Sequence, residues 1–222
     1  MKLEDIQIRD PFVLRDEDKW YLFGSTDKDI WYGDGLGFDV YISGEPAEQV
    51  PREFSGPVPA FRPPPGFWSS KNFWAPEVYR YYDEYYMFAT FKANENAYHG
   101  RRGTAVLKAS ALPGPFEPWS DGPVTPAFWE CLDGTLYIDP ALNPWMVFCH
   151  EWKQIGNGEI CALPLTKDLR EAAGDPLVLF RGADAPWTRS LKGQPKGSYV
   201  TDGPFLYTET PGALTMLWSS FT

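Results

Sequence analysis

Histidine and cysteine are scarce in this chain of 222 residues, which holds two of the first, His99 and His150, and three of the second, Cys131, Cys149 and Cys161. An odd, sparse set of cysteines without CxxC spacing is neither a disulfide framework nor a zinc site, and two distant histidines without a motif make a zinc enzyme unexpected. Cys149, inside an apolar run, reads as a small buried hydrophobe. Positive charge is also short: 20 Lys and Arg stand against 30 Asp and Glu, a net charge of −10. Phosphate backbones and anionic membranes call for a basic face, so neither nucleic acid nor a membrane surface is an expected partner. No apolar run approaches the roughly 18 residues that cross a bilayer. The opening MKLEDIQIRDPFVLR has no apolar stretch of signal-peptide length, so the expected location is cytoplasmic, or secreted if a signal has been removed. There is no GxSxG elbow, phosphate-binding loop or dinucleotide fingerprint. Helical periodicity is nearly absent, and Thr166–Ala173, with Thr166 as N-cap, is the one helical candidate.

Aromatic residues are abundant, at 17%, and 20 glycines and 22 prolines punctuate the chain. Those two features mark many short strands joined by turns. Four stretches share one grammar: an acid, an apolar strand, a polar turn and a second aromatic-rich strand. They are DPFVLRDEDKWYLFGS from Asp10, EVYRYYDEYYMFAT from Glu77, LDGTLYIDPALNPWMVFCHEW around Asp133, and DGPFLYTETPGALTMLWSS from Asp202. Long-period repetition of hairpins is the signature of a β-propeller. Further strands are expected at Phe54–Phe61, Thr104–Ser110, Gly158–Pro164 and Leu177–Arg181, four to a blade. The reading is a single all-β domain over residues 1–222, with three blades and half of a fourth.

Inner propeller strands line the axis, so acids at the same end of those strands converge on one mouth. The repeat places Asp10, Asp133 and Asp202, with Glu77, in a common register. Crowded carboxylates repel, and their pKa values separate. A pair with one member protonated and one ionised is what glycoside hydrolysis requires. Asp-Gly and Asp-Pro are also ordinary turn residues, so the weight lies in three acids recurring together.

RDPFVL with WYLFGS, FWAPEVY with YYMFAT, LDGTLYID with PWMVFCHEW, and TDGPFLY with LTMLWSSF resemble glycoside hydrolase family 43, in order, from about residue 6 to the C-terminus. The resemblance implies a five-bladed β-propeller, truncated at its C-terminal end, that inverts configuration while cleaving arabinofuranosyl or xylosyl linkages. It implies Asp10 as general base, Asp133 as the residue that tunes the acid and contacts the sugar, and Asp202 as general acid. The family most often carries Glu in an EGP motif where Asp202 stands. The resemblance also allows a calcium ion near the axis, although no EF-hand loop is present; no other cofactor is expected.

Trp74 reads as a sugar-stacking residue or a core Trp, and Glu77 as a polar contact or structural acid. His150 and Glu151 follow a strand end close enough to reach the pocket, with Glu151 as the reserve acid. Two other readings stand beside the hydrolase: a non-catalytic carbohydrate-binding or incomplete propeller, and a propeller completed by a partner chain or a second copy across its open blade edges.

Overall fold

Alternation of side chains across a strand lets one strand feed two cores, and the aromatic-rich strands of this chain do so. The computed structural model describes residues 1–46, 49–210 and 212–222. Blade one is β1 (Arg9–Asp16), β2 (Lys19–Ser25), β3 (Phe38–Ser43) and β4 (Ser55–Phe61), paired in that order. Blade two is β5 (Ser69–Tyr81), β6 (Glu84–Ala93), β7 (Arg102–Ala109) and the two-residue β8 (Glu117–Pro118). Blade three is β9 (Cys131–Ile138), β10 (Pro144–His150), β11 (Glu159–Pro164) and β12 (Leu177–Arg181). Blade four holds the pair β13 (Asp202–Thr210) and β14 (Ala213–Ser219). All pairings within the blades are antiparallel.

The blades pack face to face. On β6, Met87, Ala89 and Phe91 point to blade one, and Phe91 meets Phe38 and Phe61 of that blade and Phe73 of its own. The alternate residues Tyr86 and Phe88 point to blade three. On β10, Met146 and Phe148 face blade two, while Val147 and Cys149 face Leu206 and Met216 of blade four. Cys149 is a buried free thiol, as its apolar neighbours suggest. Blade one's free face is covered by its own chain: Leu22, Tyr41 and Phe54 lie beneath Ile6 and Ile8. Apart from the edge-on approach of Phe12 to Phe205, the outer face of blade four is left open by the described residues. Phe205, Tyr207 and Leu217 stand there 38%, 39% and 56% exposed.

Thr166–Ala173 is not a helix. Thr166 Oγ1 donates to the Asp168 carboxylate at 2.6 Å and accepts the Glu171 amide at 3.1 Å. Leu165 and Ala172 form a bridge. A side chain that bonds its own neighbouring backbone competes with helix formation, and here it closes a turn. One short α-helix is present among the described residues, α1 (Trp152–Ile155).

Candidate active site

All four inner strands carry the same irregularity. In each, one residue pairs normally, two residues bulge, and pairing resumes. Arg9 pairs with Ser25 and Phe12 with Phe23; Trp74 pairs with Thr90 and Glu77 with Phe88. Leu132 pairs with Cys149 and Thr135 with Val147; Asp202 pairs with Ser219 and Phe205 with Leu217. The first bulge residue has a left-handed backbone throughout: Asp10 at φ 48°, Ala75 at 44°, Asp133 at 56° and Gly203 at 55°. The second is proline in three blades, Pro11, Pro76 and Pro204, where a missing N–H costs no ladder bond. In blade three it is Gly134, and Thr104 Oγ1 accepts its amide at 3.2 Å. A β-carbon on Gly134 would lie 2.6 Å from the Thr104 side chain, so that close approach requires glycine.

This geometry corrects the common register that spacing suggests. Asp10 and Asp133 are equivalent. Asp202 sits one residue before its bulge, and Glu77 two residues after Ala75, which occupies the equivalent place in blade two.

The bulges nevertheless bring the acids to one cavity of about 870 Å³, lined among others by Asp10, Trp74, Glu77, Asp133, Glu151 and Asp202. Asp10 is exposed to solvent and accepts a hydrogen bond from Ser25 Oγ on Oδ2 at 3.0 Å. Asp133 accepts the Gly203 amide at 3.0 Å. Burial, and then the charges of Asp202, Asp10 and Glu77, hold its carboxyl well above the usual carboxylate range. Asp202 is pushed up to about 6, first by burial and then by Glu151 and Asp10, against the opposing pull of Arg102 and Lys153. Glu77 is pushed up to about 7 by burial, although hydrogen bonds from Tyr79 and Thr135 favour its charged form. Tyr79 bridges Glu77 to Thr135 Oγ1, 2.7 Å away on β9, tying blade two's inner strand to blade three's.

The Trp74 ring is partly buried at the cavity wall. Its Nε1 donates to the Ile30 carbonyl at 2.6 Å, Trp31 meets it edge-on at 5.1 Å, and the Arg102 guanidinium lies 5.3 Å from its centroid. Glu151 is buried at the start of α1 and pairs with Arg102 at 3.0 Å. Burial raises its pKa while Arg102 opposes.

His150 is not among the described residues that line the cavity. It is buried, stacked on Trp129 at 4.1 Å, with Nδ1 3.2 Å from Glu159 and Nε2 3.0 Å from Gln154. By the alternation along β10 its side chain shares the face of Met146 and Phe148, where Trp129 packs, rather than the cavity. Among the lining residues that escaped the sequence reading are Arg9, Trp31, Arg102 and Lys153. The Arg101-Arg102 doublet was the visible signal for one of them, but it stands in a polar stretch that reads as a loop.

Among the described residues, no group of three or more His, Cys, Asp and Glu side chains is arranged to hold a metal ion. The calcium ion that the resemblance allows is therefore assigned no ligands, and no step below passes through one.

Antiparallel blades around an axis, with inner-strand bulges carrying acids into one mouth, define a class: a propeller with a carboxylate-lined axial cavity. Within that class the chain belongs to glycosyl hydrolases family 43, whose pattern matches residues 5–221. Its fold is of the five-bladed type, with about three and a half blades present here. The chain is similar to an endo-arabinase from Bacteroides thetaiotaomicron VPI-5482, at 38% identity and a TM-score of 0.85, covering 100% of this chain and 72% of that one. It is also similar to the extracellular exo-alpha-(1->5)-L-arabinofuranosidase ArbA of Cellvibrio japonicus (strain Ueda107), 26% identical over 218 residues. That match covers 91% of this chain, which spans 56% of the length of that curated relative. An endo-1,4-beta-xylanase from Bacteroides thetaiotaomicron VPI-5482, 23% identical with a TM-score of 0.68 over 97% of this chain and 64% of its own, shares the fold.

Proposed function

We propose that this chain hydrolyses arabinofuranosyl or xylosyl linkages in plant poly- or oligosaccharides by single displacement with inversion. Asp10 takes a proton from water as the oxygen attacks the anomeric carbon. Asp202 gives its proton to the glycosidic oxygen as the carbon–oxygen bond breaks. Asp133 holds the Gly203 amide, and with it the backbone next to Asp202, in place. The observation that carries this reading is the contrast between the two outer carboxyls. Asp10 is exposed to solvent, whereas Asp202 is half-buried beside other acids and its pKa is pushed up to about 6. An inverting pair needs one proton acceptor and one proton donor at the same pH. Asp202 is shorter by a methylene than the Glu usual in the family. Its position one residue ahead of the bulge supports its assignment as acid, because its neighbours there are Glu151, Arg102 and Lys153.

Names of the relatives support arabinose or xylose as the sugar, and arabinan ranks first because the more similar chains carry it. Turnover of aryl α-L-arabinofuranoside against aryl β-D-xyloside, with proton NMR of the first anomer released, tests the reading. Inverted arabinose is expected. A retained anomer, or no turnover of either, contradicts it.

The second reading, a propeller that is completed by other polypeptide, draws on the open face of blade four. Phe205 borders the cavity on that face, and Ser219 stands in the register that Ser25 and Thr90 occupy in blades one and two. A further hairpin, or a second copy of this chain, would cover it.

A further inference from the structure

Between consecutive blades, the bulge amide of one inner strand is captured by the blade before it. The Ala75 amide of blade two donates to Ser25 Oγ of blade one at 2.9 Å. The Asp133 amide of blade three donates to Thr90 Oγ1 of blade two at 2.9 Å. Ser25 and Thr90 hold the same place, each opposite the last regular residue before its own blade's bulge. Both hydroxyl groups are buried residues' side chains, 2% and 0% exposed. Blade three has Cys149 at this place, and the Gly203 amide goes to the Asp133 carboxylate instead.

A left-handed backbone at a residue other than glycine is strained and persists only where the surroundings enforce it. Ala75 and Asp133 are such residues, and the hydroxyl bonds are the enforcement. The bond at Ser25 has a second consequence. A hydroxyl has one proton to give. With the Ala75 amide on its lone pair, Ser25 turns that proton to Asp10 Oδ2, 3.0 Å away. Asp10 Oδ1 has no hydrogen-bond partner among the described residues.

We propose that Ser25 and Thr90 are positioning residues of the cavity. Each hydroxyl latches the bulge of the following blade; Ser25 also fixes the Asp10 carboxylate so that Oδ1 is the oxygen that takes the proton from water. Thr90 fixes the backbone from which the Asp133 carboxyl reaches Gly203. The role assigned to Asp10 rests on the hydrolase reading above, whereas the latches do not.

The test uses the full chain with Ser25→Ala, Ser25→Thr, Thr90→Val and Thr90→Ser, followed by amide hydrogen exchange and by kinetics on an aryl arabinofuranoside. S25A is expected to lose protection at the Ala75 amide about tenfold while the Asp133 amide keeps it, and T90V the reverse. A hydrogen bond to a charged group sets the kinetic scale. S25A should therefore lower kcat about ten- to a hundredfold with KM within about twofold, and S25T should recover most of it. Equal protection of Ala75 in wild type and S25A overturns the latch. Wild-type kcat in S25A, or a loss that S25T does not repair, overturns the positioning of Asp10. If S25A does not fold, T90V against T90S makes the same comparison at Asp133 and decides. If the wild-type chain turns over no glycoside, the hydrolase reading and the role of Asp10 fall together, and the exchange pattern alone decides the latches.

Discussion

In the proposed reaction, Glu151, a residue beside the acid, would set the pH at which that acid works. Its carboxylate raises the pKa of Asp202, and its partner Arg102 lowers it. Asp202 must be protonated to act as the acid, so activity is expected to fall as pH rises through about 6. Glu151→Gln removes a raising charge and leaves the Arg102 guanidinium with Glu130 as its one remaining carboxylate partner among the described residues. Both changes favour ionised Asp202, and the alkaline limb of kcat/KM should move to lower pH. A limb that stays in place, measured over pH 4 to 8, would mean that Glu151 does not face Asp202 in the working protein. Arg102 itself was hidden in the sequence because its carboxylate partners, Glu130 and Glu151, lie 28 and 49 residues along the chain. A pair formed by blade packing leaves no local pattern.

Strands were the legible part of the sequence, and bulges were not. Lys19–Ser25 and Leu177–Arg181 can be read to the residue because a short continuous apolar run is bounded on each side by polar or turn residues. The repeat of leading acids likewise indicates a propeller, but it suggests a single register that the bulges break. A better signal lay one residue away. Aligning Pro11, Pro76 and Pro204 sets Asp10, Ala75 and Gly203 in one column, and that is the column of left-handed backbones. Thr166–Ala173 failed as a helix because a hydroxyl and a carboxylate three positions into it close a turn first. Glu77 links β5 to β9 through Tyr79, and its ionisation has a consequence for that junction. Its folded pKa of about 7 lies above the ordinary value of 4.5. Its protonated form is thus favoured by folding: the stability it contributes is fully present below about pH 4.5 and is lost as pH rises through about 7. A shift of that size corresponds to roughly 3 kcal/mol. Urea unfolding at pH 5 and pH 8 should show wild type losing more stability than Glu77→Gln across that interval. Equal losses would show that Glu77 is not held in its buried site.

For the whole molecule, the contrast lies between its two free ends of the blade series. Blade one shields its outer face with Ile6 and Ile8, whereas blade four leaves Phe205, Tyr207 and Leu217 in water. Exposed apolar sheet faces pair with other chains. The 222-residue chain is expected to self-associate with rising concentration, and Leu217→Glu to suppress that association. Sedimentation that shows wild type monomeric at every concentration would contradict the expectation. The central claim concerns the cavity, and a leaving-group series tests it most directly. Wild type and Asp202→Asn would be compared on aryl arabinofuranosides whose phenol pKa spans a wide range. Protonation of the leaving oxygen by a positioned acid is worth about 10²–10⁴-fold and matters least for the most acidic phenol. If Asp202 is the general acid, D202N should approach wild-type kcat/KM on the best leaving group and fall progressively behind as the phenol pKa rises. A D202N enzyme depressed equally across the series, or not depressed at all, would contradict the account.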